Sequence, residues 1–469
     1  MTIRGASPGN RWKPWLARLS FALVVAAVAV VAAAAGVRSF GMLAVGLVAA
    51  AVSLAAAYWF LSRRGALRWL SLAVLVAAPA AVIVVYARYS LLWVALAGAA
   101  GWLLAGVTAR AALAGDREAG RMPEHPVRRP ASRPFLIMNP KSGGGKVGTF
   151  DLRRRAEDLG AEVFLLDADE PVDVAEVARA AVARGADLLG VAGGDGTQAL
   201  VAGIAAEHDL PFVVITAGTR NHFALDLGLD RDDPAACLGA LSDAVELRVD
   251  LGVIGGRTFV NNASFGAYAE VVESPAYRGD KLRTTLELLP DLLQGHRGPR
   301  LTARADSSEI SAPQALLVGN NPYGTGDIAG LGRRARLDRG VLGVVAVTVG
   351  SARQAAGLLR GRRAAGLRVL TAKEVTVTAD TPRLPVGIDG EAVTLPVPVR
   401  CAVHPGALRV RVPRGRPGVP VPEPELDWDR LLRLAGPGHA RPRGRLRRAA
   451  RSRPSAEVGH DAKPLRTPH

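Results

Sequence analysis

Gly193-Gly194-Asp195-Gly196-Thr197 stands directly behind the apolar run Leu188-Leu189-Gly190-Val191-Ala192. A strand that breaks into glycines brings bare backbone N–H groups against a phosphate. Without a Cβ the anion can approach closely, and positive φ is open to the turn. Residues 198–206 read as a helix whose positive N-terminal end would face the same place. Asp195 is the odd member: a carboxylate beside a phosphate is repulsive unless it meets a metal ion or a proton in transit. That combination points to phosphoryl transfer rather than passive anion binding.

Three further segments carry chemistry-bearing residues. Asn139-Pro140-Lys141-Ser142-Gly143-Gly144-Gly145-Lys146 is not a Walker loop. No glycine stands at the required distance before Gly145-Lys146, and Val147 replaces the hydroxyl residue that would hold magnesium. It still offers backbone N–H groups, the Ser142 hydroxyl and a lysine charge; alone, it is equally a plain loop. In Ala217-Gly218-Thr219-Arg220-Asn221-His222, Gly218 and Thr219 can offer N–H and hydroxyl groups to phosphates, and Asn221 and His222 can hydrogen-bond there. His222 by itself is expected to be a structural hydrogen-bonding group before a catalytic base. Gly387-Ile388-Asp389-Gly390-Glu391 puts two carboxylates around a turn, and in isolation reads as a hairpin with solvated acids.

The elements that must position these segments alternate in type. Strands are expected at 135–138, 161–166, 188–192 and 212–215, with helices at 149–159, 172–183 and 198–206 between them. Strict alternation implies a parallel sheet with helices on both faces and ligands at the C-terminal strand ends. Beyond about residue 246 the pattern changes to strands at 247–253, 258–262, 301–305, 314–318, 341–349, 374–378 and 399–403. Helices are expected only at 281–293 and 352–360, so this part reads as a mainly antiparallel second domain.

Ahead of both lie uncharged apolar runs at 19–37, 40–61, 69–86 and 91–107, each about the length of a bilayer-crossing helix. A cleaved signal peptide would be one shorter run; the other alternative is a buried helical bundle of a soluble protein. Arg4, Arg11, Lys13 and Arg18 precede the unit, Arg63, Arg64 and Arg68 occupy its second link, and Arg110, Arg117 and Arg121 follow it. The first and third links hold only Arg38 and Arg88, so positive-inside counting places both ends, and all that follows, in the cytosol with its ATP. The expected organisation is a four-helix transmembrane region (1–109), a Pro-bearing linker (110–133), an α/β nucleotide-binding domain (134–246), a β-rich domain (247–411) and a disordered basic tail (412–469).

Net charge is +17, and from Arg411 onward there are fourteen basic and six acidic residues. Such a tail suits an anionic leaflet or is simply solvated. Nucleic acid is not expected as a partner, because no aromatic residues interleave with the arginines. Cys237 and Cys401 are isolated and suggest neither a disulfide framework nor a metal site.

Taken in order and spacing, Asn139 to Gly143, Gly193 to Thr197, Gly218 to Asn221 and Asp389-Gly390-Glu391 resemble the diacylglycerol kinase catalytic-domain family, across about residues 133–411. That family includes sphingosine and ceramide kinases and bacterial relatives. The resemblance implies a cleft between an α/β and a β-rich domain, where ATP and Mg2+ phosphorylate a hydroxyl of a membrane lipid. It implies that Gly193, Gly194, Gly196 and Thr197 cradle ATP phosphates, and that Asn139, Ser142, Gly143, Gly218, Thr219 and Asn221 complete the nucleotide site. Asp195 would act through the metal, with Asp389 beside it, or as the base; Glu391 is the rival base.

This chain departs from the family in three places. Ala199-Leu200 stands where an Asn-Glu pair is usual, His222 replaces an Asp, and Arg339 replaces a second acid in Leu337-Asp338-Arg339-Gly340. Two other readings therefore stay open: a non-catalytic membrane protein that binds nucleotide or lipid, and a soluble-substrate kinase of the NAD kinase type. Whether the chain forms a homo-oligomer is open as well.

Overall fold

The computed structural model describes residues 12–35, 38–63, 65–90, 92–113, 121–166, 172–267, 269, 299–324, 333–348, 366–419 and 428–436. The helices expected at 281–293 and 352–360, and the tail beyond 436, lie outside these residues. The chain opens with α1 (Lys13–Ala35), α2 (Arg38–Ser62), α3 (Ala66–Arg88) and α4 (Leu92–Leu113). Three of them, α1, α3 and α4, are long and apolar enough to cross a membrane, while α2 carries a shorter apolar stretch, Ala44–Phe60. Their outward surfaces are apolar: Val25, Leu47, Val76 and Leu103 are each more than half exposed. A water-soluble bundle would turn such side chains inward.

The next part contains β1 (His125–Pro126), β2 (Pro134–Met138), α5 (Lys146–Thr149), α6 (Leu152–Asp158), β3 (Glu162–Leu165), α7 (Val174–Ala183), β4 (Leu188–Ala192), α8 (Asp195–Glu207), β5 (Pro211–Ile215) and α9 (His222–Asp226). Strands β3, β2, β4 and β5 lie side by side and parallel. Every residue of β2, β4 and β5 is buried, as continuous apolar runs should be when helices cover both faces of a sheet. The single helix expected at 149–159 is two: Asp151 adopts φ +51°, a left-handed conformation that ends one helix and starts the next. Helix α8 starts at Asp195, three residues before the expected position. Asp195, Gly196 and Thr197 thus form its first turn, with N–H groups outside the i→i−4 ladder.

The remainder comprises β6 (Ala244–Ile254), β7 (Arg257–Phe259), β8 (Asn262–Gly266), β9 (Leu301–Ala305), β10 (Ser308–Ser311), β11 (Ala315–Asn320), β12 (Leu342–Val347), β13 (Leu367–Ala372), β14 (Glu374–Ala379), β15 (Arg383–Ile388), β16 (Glu391–Pro396), β17 (Val399–Pro413) and α10 (Trp428–Ala435). The strand expected at 258–262 is interrupted at Val260-Asn261, and β10, β13, β15 and β16 were not anticipated. Strands β13-β12-β11-β8-β15-β16 form an antiparallel sheet. The other sheet draws strands from both the 134–246 and 247–411 segments. Strand β17 pairs antiparallel with β6 along its length and with β14 at its start, while Arg409–Arg411 run parallel to Pro211–Val213 of β5. A register shift between His404 and Leu408 lets one strand serve both neighbours. Within the segment expected to be a disordered tail, β17 continues to Pro413 and residues 428–435 are helical.

A buried ion pair fastens the two sheets at the site. The Arg334 side chain is fully buried, and its Nε donates to Asp226 Oδ2 at 2.6 Å. Its Nη1 donates to Val260 O (2.7 Å) and Asn320 O (2.7 Å), and its Nη2 to Asn261 Oδ1 (2.7 Å). Removing one partner strands a charge in a dry interior. Asp226→Ala is therefore expected to cost about 3–5 kcal/mol, seen as a lower urea midpoint. Arg248→Ala, which breaks an exposed pair with Asp209, should change stability by no more than about 1 kcal/mol.

Candidate active site

The loops leaving β2, β4 and β5 all emerge from the same edge of the parallel sheet. Asn139 N donates to Ala192 O at 2.9 Å, binding the end of β2 to the end of β4. Its Oδ1 accepts from Lys141 N at 3.0 Å, which shapes the turn that carries Ser142 and Gly143. A Cβ on Gly143 would fall on Ala217 O, so the first loop lies against the third. A Cβ on Gly218 would sit 2.7 Å from Gly193 O and 3.1 Å from Gly194 Cα. Only a residue without a side chain lets the second and third loops approach this closely.

The fourth segment arrives from the antiparallel sheet. Strands β15 and β16 pair from Arg383↔Pro396 to Ile388↔Glu391, leaving Asp389-Gly390 as the turn. A Cβ on Gly196 would collide with the Glu391 carboxylate, so this acid rests against the first turn of α8. A Cβ on Gly390 would come within 3.3 Å of Arg220 Nη1. Residues from four separate stretches thus meet at the N-terminus of α8.

The individual residues divide by what their polar atoms already do. Asp195 is buried; its Oδ2 accepts from His222 N at 3.3 Å, while its Oδ1 has no hydrogen-bond partner among the described residues. Asp389 is held by three backbone amides: Oδ2 accepts from Val260 N (2.8 Å), and Oδ1 from Asn261 N (2.8 Å) and Asn262 N (2.9 Å). Asp389, expected as a metal ligand, thus pins the 260–262 backbone beside Asp195. Asn221 is also spent internally. Its Oδ1 accepts from Gly218 N (2.9 Å), and its Nδ2 donates to Gly218 O (2.6 Å) and Thr216 O (3.2 Å). It holds the loop from within rather than facing a nucleotide, and the Gly218 N–H is occupied too. Lys146 Nζ reaches Arg231 O at 2.8 Å, so its charge is turned to the protein. Ser142, Thr197 and Thr219 keep some exposure.

Residue types alone did not reveal the supports. Gln198, wholly buried, donates from Nε2 to Gly193 O at 2.9 Å and secures the glycine loop. Arg334 lies 139 residues downstream of Asp195 in sequence, and no local pattern marks it. Beside the site runs a cleft of about 610 Å3, bordered by Gly196, Thr197, Leu200, Arg257, Asp389 and Glu391. Ala199 and Ile204 add to its apolar wall, and Leu200 is 43% exposed. The family's polar pair is thus replaced by apolar side chains on a cleft wall.

Burial pushes the Asp389 carboxyl up to about 7, with the neighbouring charge of Asp195 acting in the same direction and the three N–H donors opposing. Folded Asp389 binds its proton more tightly than the unfolded chain does. Its contribution to stability is therefore complete below about pH 3.8 and is lost as pH rises through about 7. Asp195→Asn removes one of the raising charges. It should flatten the fall in denaturation midpoint across that interval, measured by urea titration at stepped pH.

A carboxylate with a free buried oxygen at a helix N-terminus, glycine loops packed around it and a second acid facing a cleft define a phosphoryl-transfer type of site on an α/β scaffold. The family profile described as "Diacylglycerol kinase catalytic domain" matches residues 133–254. The "Probable lipid kinase YegS-like" protein of Pseudomonas fluorescens is 30% identical over 267 residues, 53% of this chain and 85% of that protein. The diacylglycerol kinase of Mycobacterium tuberculosis is 26% identical over 313 residues, 63% of this chain and 99% of that protein. The diacylglycerol kinase of Bacillus subtilis is 32% identical over 168 residues, 35% of this chain; the match spans 54% of that protein, about half its length. A crystal structure of a putative diacylglycerol kinase from Bacillus anthracis superposes with a TM-score of 0.49 at 18% identity, covering 61% of this chain and 99% of that one. The chain belongs to the diacylglycerol kinase catalytic-domain family of lipid kinases.

Proposed function

We propose that this protein is a membrane-anchored lipid kinase that transfers the γ-phosphate of ATP to a lipid hydroxyl. The observation that carries the reading is the buried Oδ1 of Asp195 at the N-terminus of α8, which has no partner among the described residues, with Glu391 against the same helical turn. An unpaired carboxylate oxygen in that position suits a divalent cation, because a buried acceptor left unsatisfied is otherwise costly. Bound Mg2+ would supply charge neutralisation at the phosphates.

The chain's own groups would do the rest. N–H groups of the first turn of α8 would face the triphosphate, and the Thr197 and Ser142 hydroxyls would add donors. The acceptor hydroxyl oxygen forms the new bond to the γ-phosphorus, the bond from that phosphorus to the β,γ-bridging oxygen breaks, and ADP leaves. The hydroxyl proton passes to a carboxylate. Glu391 is exposed on the cleft side, whereas Asp195 is buried where the helix end favours a fixed anion. We therefore assign the base role to Glu391 and the cation to Asp195.

The apolar wall at Ala199, Leu200 and Ile204 supports an acceptor that is greasy close to its reacting hydroxyl. The outward-facing apolar surfaces of α1–α4 support a four-helix anchor, and the basic flanks support cytosolic termini. Tethering then raises the effective concentration of the enzyme at a bilayer-resident acceptor. A second reading, a kinase-like protein that binds without transferring, is favoured by one feature, the loss of family acids at Ala199-Leu200 and His222.

Transfer of labelled γ-phosphate to a lipid panel in detergent micelles separates the two. Asp195→Ala should lower kcat by on the order of 10²–10³, and Glu391→Gln by on the order of 10²–10⁴, both with unchanged circular dichroism. Gly196→Ala should act like the Glu391 variant, because its methyl displaces that carboxylate. ATP binding without transfer to any lipid would replace the kinase reading with the second one.

A further inference from the structure

Helix α10 follows the kinase sheets in sequence but packs on the N-terminal helices. Leu431 is fully buried against Ala17 of α1 and Ala109, Ala112 and Leu113 of α4. Phe21 of α1 and Trp428 approach with ring centroids 6.5 Å apart. Arg18 Nε donates to Ala435 O at 3.0 Å, and its Nη2 to Gly436 O at 3.4 Å. These bonds satisfy carbonyls at the C-terminal end of α10. The contact lies at the end of α4 from which the chain runs on to β1 and β2, so α10 closes a loop between the two chain ends of the kinase part.

An eight-residue helix is too short to hold its shape alone in water, and only one side of this one is covered. Trp428 is 51% exposed and Leu432 58%. At the same end of α1, Trp12 is 70% and Trp15 64% exposed. The described charged residues on these helix ends are Lys13 and Arg18 of α1, Arg110 of α4, and Asp429, Arg430 and Arg433 of α10. Among the described residues of these helix ends, five are basic and one is acidic. Tryptophans and leucines beside basic residues, continuous with the apolar outer surfaces of α1 and α4, have the chemistry of a bilayer–water boundary.

We propose that α10 is an interfacial helix: Trp428 and Leu432 enter the headgroup–acyl boundary of an anionic leaflet beside α1 and α4. The helix thereby gives the chain beyond β17 a membrane contact beside α4, the helix that precedes β1 and β2. The kinase part is then held at two points, which restricts how the cleft beside Glu391 can turn relative to the bilayer. This inference rests on the membrane-anchored reading given above.

The test uses the full chain in vesicles of equal parts phosphatidylcholine and phosphatidylglycerol, with fluorophores at single introduced cysteines; Cys237 and Cys401 are both buried. A probe at Trp428→Cys should be quenched by lipids bearing a nitroxide just below the headgroup, and a probe at Ser308→Cys on β10 should not. A probe at Val76→Cys, midway along α3, should respond to a nitroxide deep in the acyl chain. Quenching at Val76 without quenching at Trp428 overturns the interfacial role of α10 and leaves the anchor standing. No quenching at either position overturns both. As an independent readout, Leu432→Glu, an exposed position that the fold does not need, should reduce phosphorylation of bilayer-resident lipid several-fold. It should leave a dispersed short-chain acceptor unaffected, and an equal effect on both acceptors, or on neither, counts against the proposal.

Discussion

A single buried guanidinium sets the geometry of the site. Arg334 reaches Asp226 at the end of α9, the carbonyls of Val260 and Asn261 between β7 and β8, and Asn320 at the end of β11. Tyr323 lies across it, with the guanidinium carbon 5.3 Å from the ring centre, and burial lifts the Tyr323 hydroxyl to about 12. The peptide groups that turn the Val260 and Asn261 carbonyls to Arg334 turn the N–H groups of Asn261 and Asn262 to Asp389. Through one short stretch of backbone, a cation on one side positions a carboxylate on the other. Such a network is costly unless every member is satisfied, so the elements it joins have little freedom to part.

The position of Asp195 follows from that constraint. Asp389 is held by three amides and cannot relax away, and its charge opposes that of Asp195. Two acids are thus kept close, and Asp195 Oδ1 has no hydrogen-bond partner among the described residues. Glu391 follows Asp389 by two residues and emerges on the cleft side, against Gly196. The hairpin β15–β16 therefore delivers one acid held by backbone amides and one that borders the cleft. This division explains why two carboxylates two residues apart differ so much in burial and in hydrogen bonding.

Strand β17 couples this machinery to the rest of the chain. It pairs with β5 of the parallel sheet, with β6 along its length and with β14, so neither the α/β layer nor the β-rich layer is complete without it. What lies beyond β17 turns back to the N-terminal helices through α10 and Arg18. An arginine inside an otherwise apolar helix has an account in this contact, since its donors meet the open carbonyls of another helix end.

The parallel strands, the glycine loops and the apolar N-terminal runs were legible in the sequence, because each is written locally: continuous apolar runs, glycine after strand, long uncharged stretches. The identities of Asp195 and Glu391 as the acids to examine were legible for the same reason. Other features were not. Asp389 reads as a solvated turn acid until the amides of Val260, Asn261 and Asn262 arrive from 127 to 129 residues away. Asn221 reads as a nucleotide contact until burial shows its amide folded back on Gly218. The strands at 383–396 lack a strong period of their own and exist because partners cover them, while the helix at 428–435 is strongly amphipathic but too short to stand alone. The sequence by itself determined which residue types could handle a phosphate and which segments could cross a bilayer. The tertiary structure alone decided which acids are held and which is free, because that depends on donors supplied by distant chain, and distance along the chain leaves no local pattern.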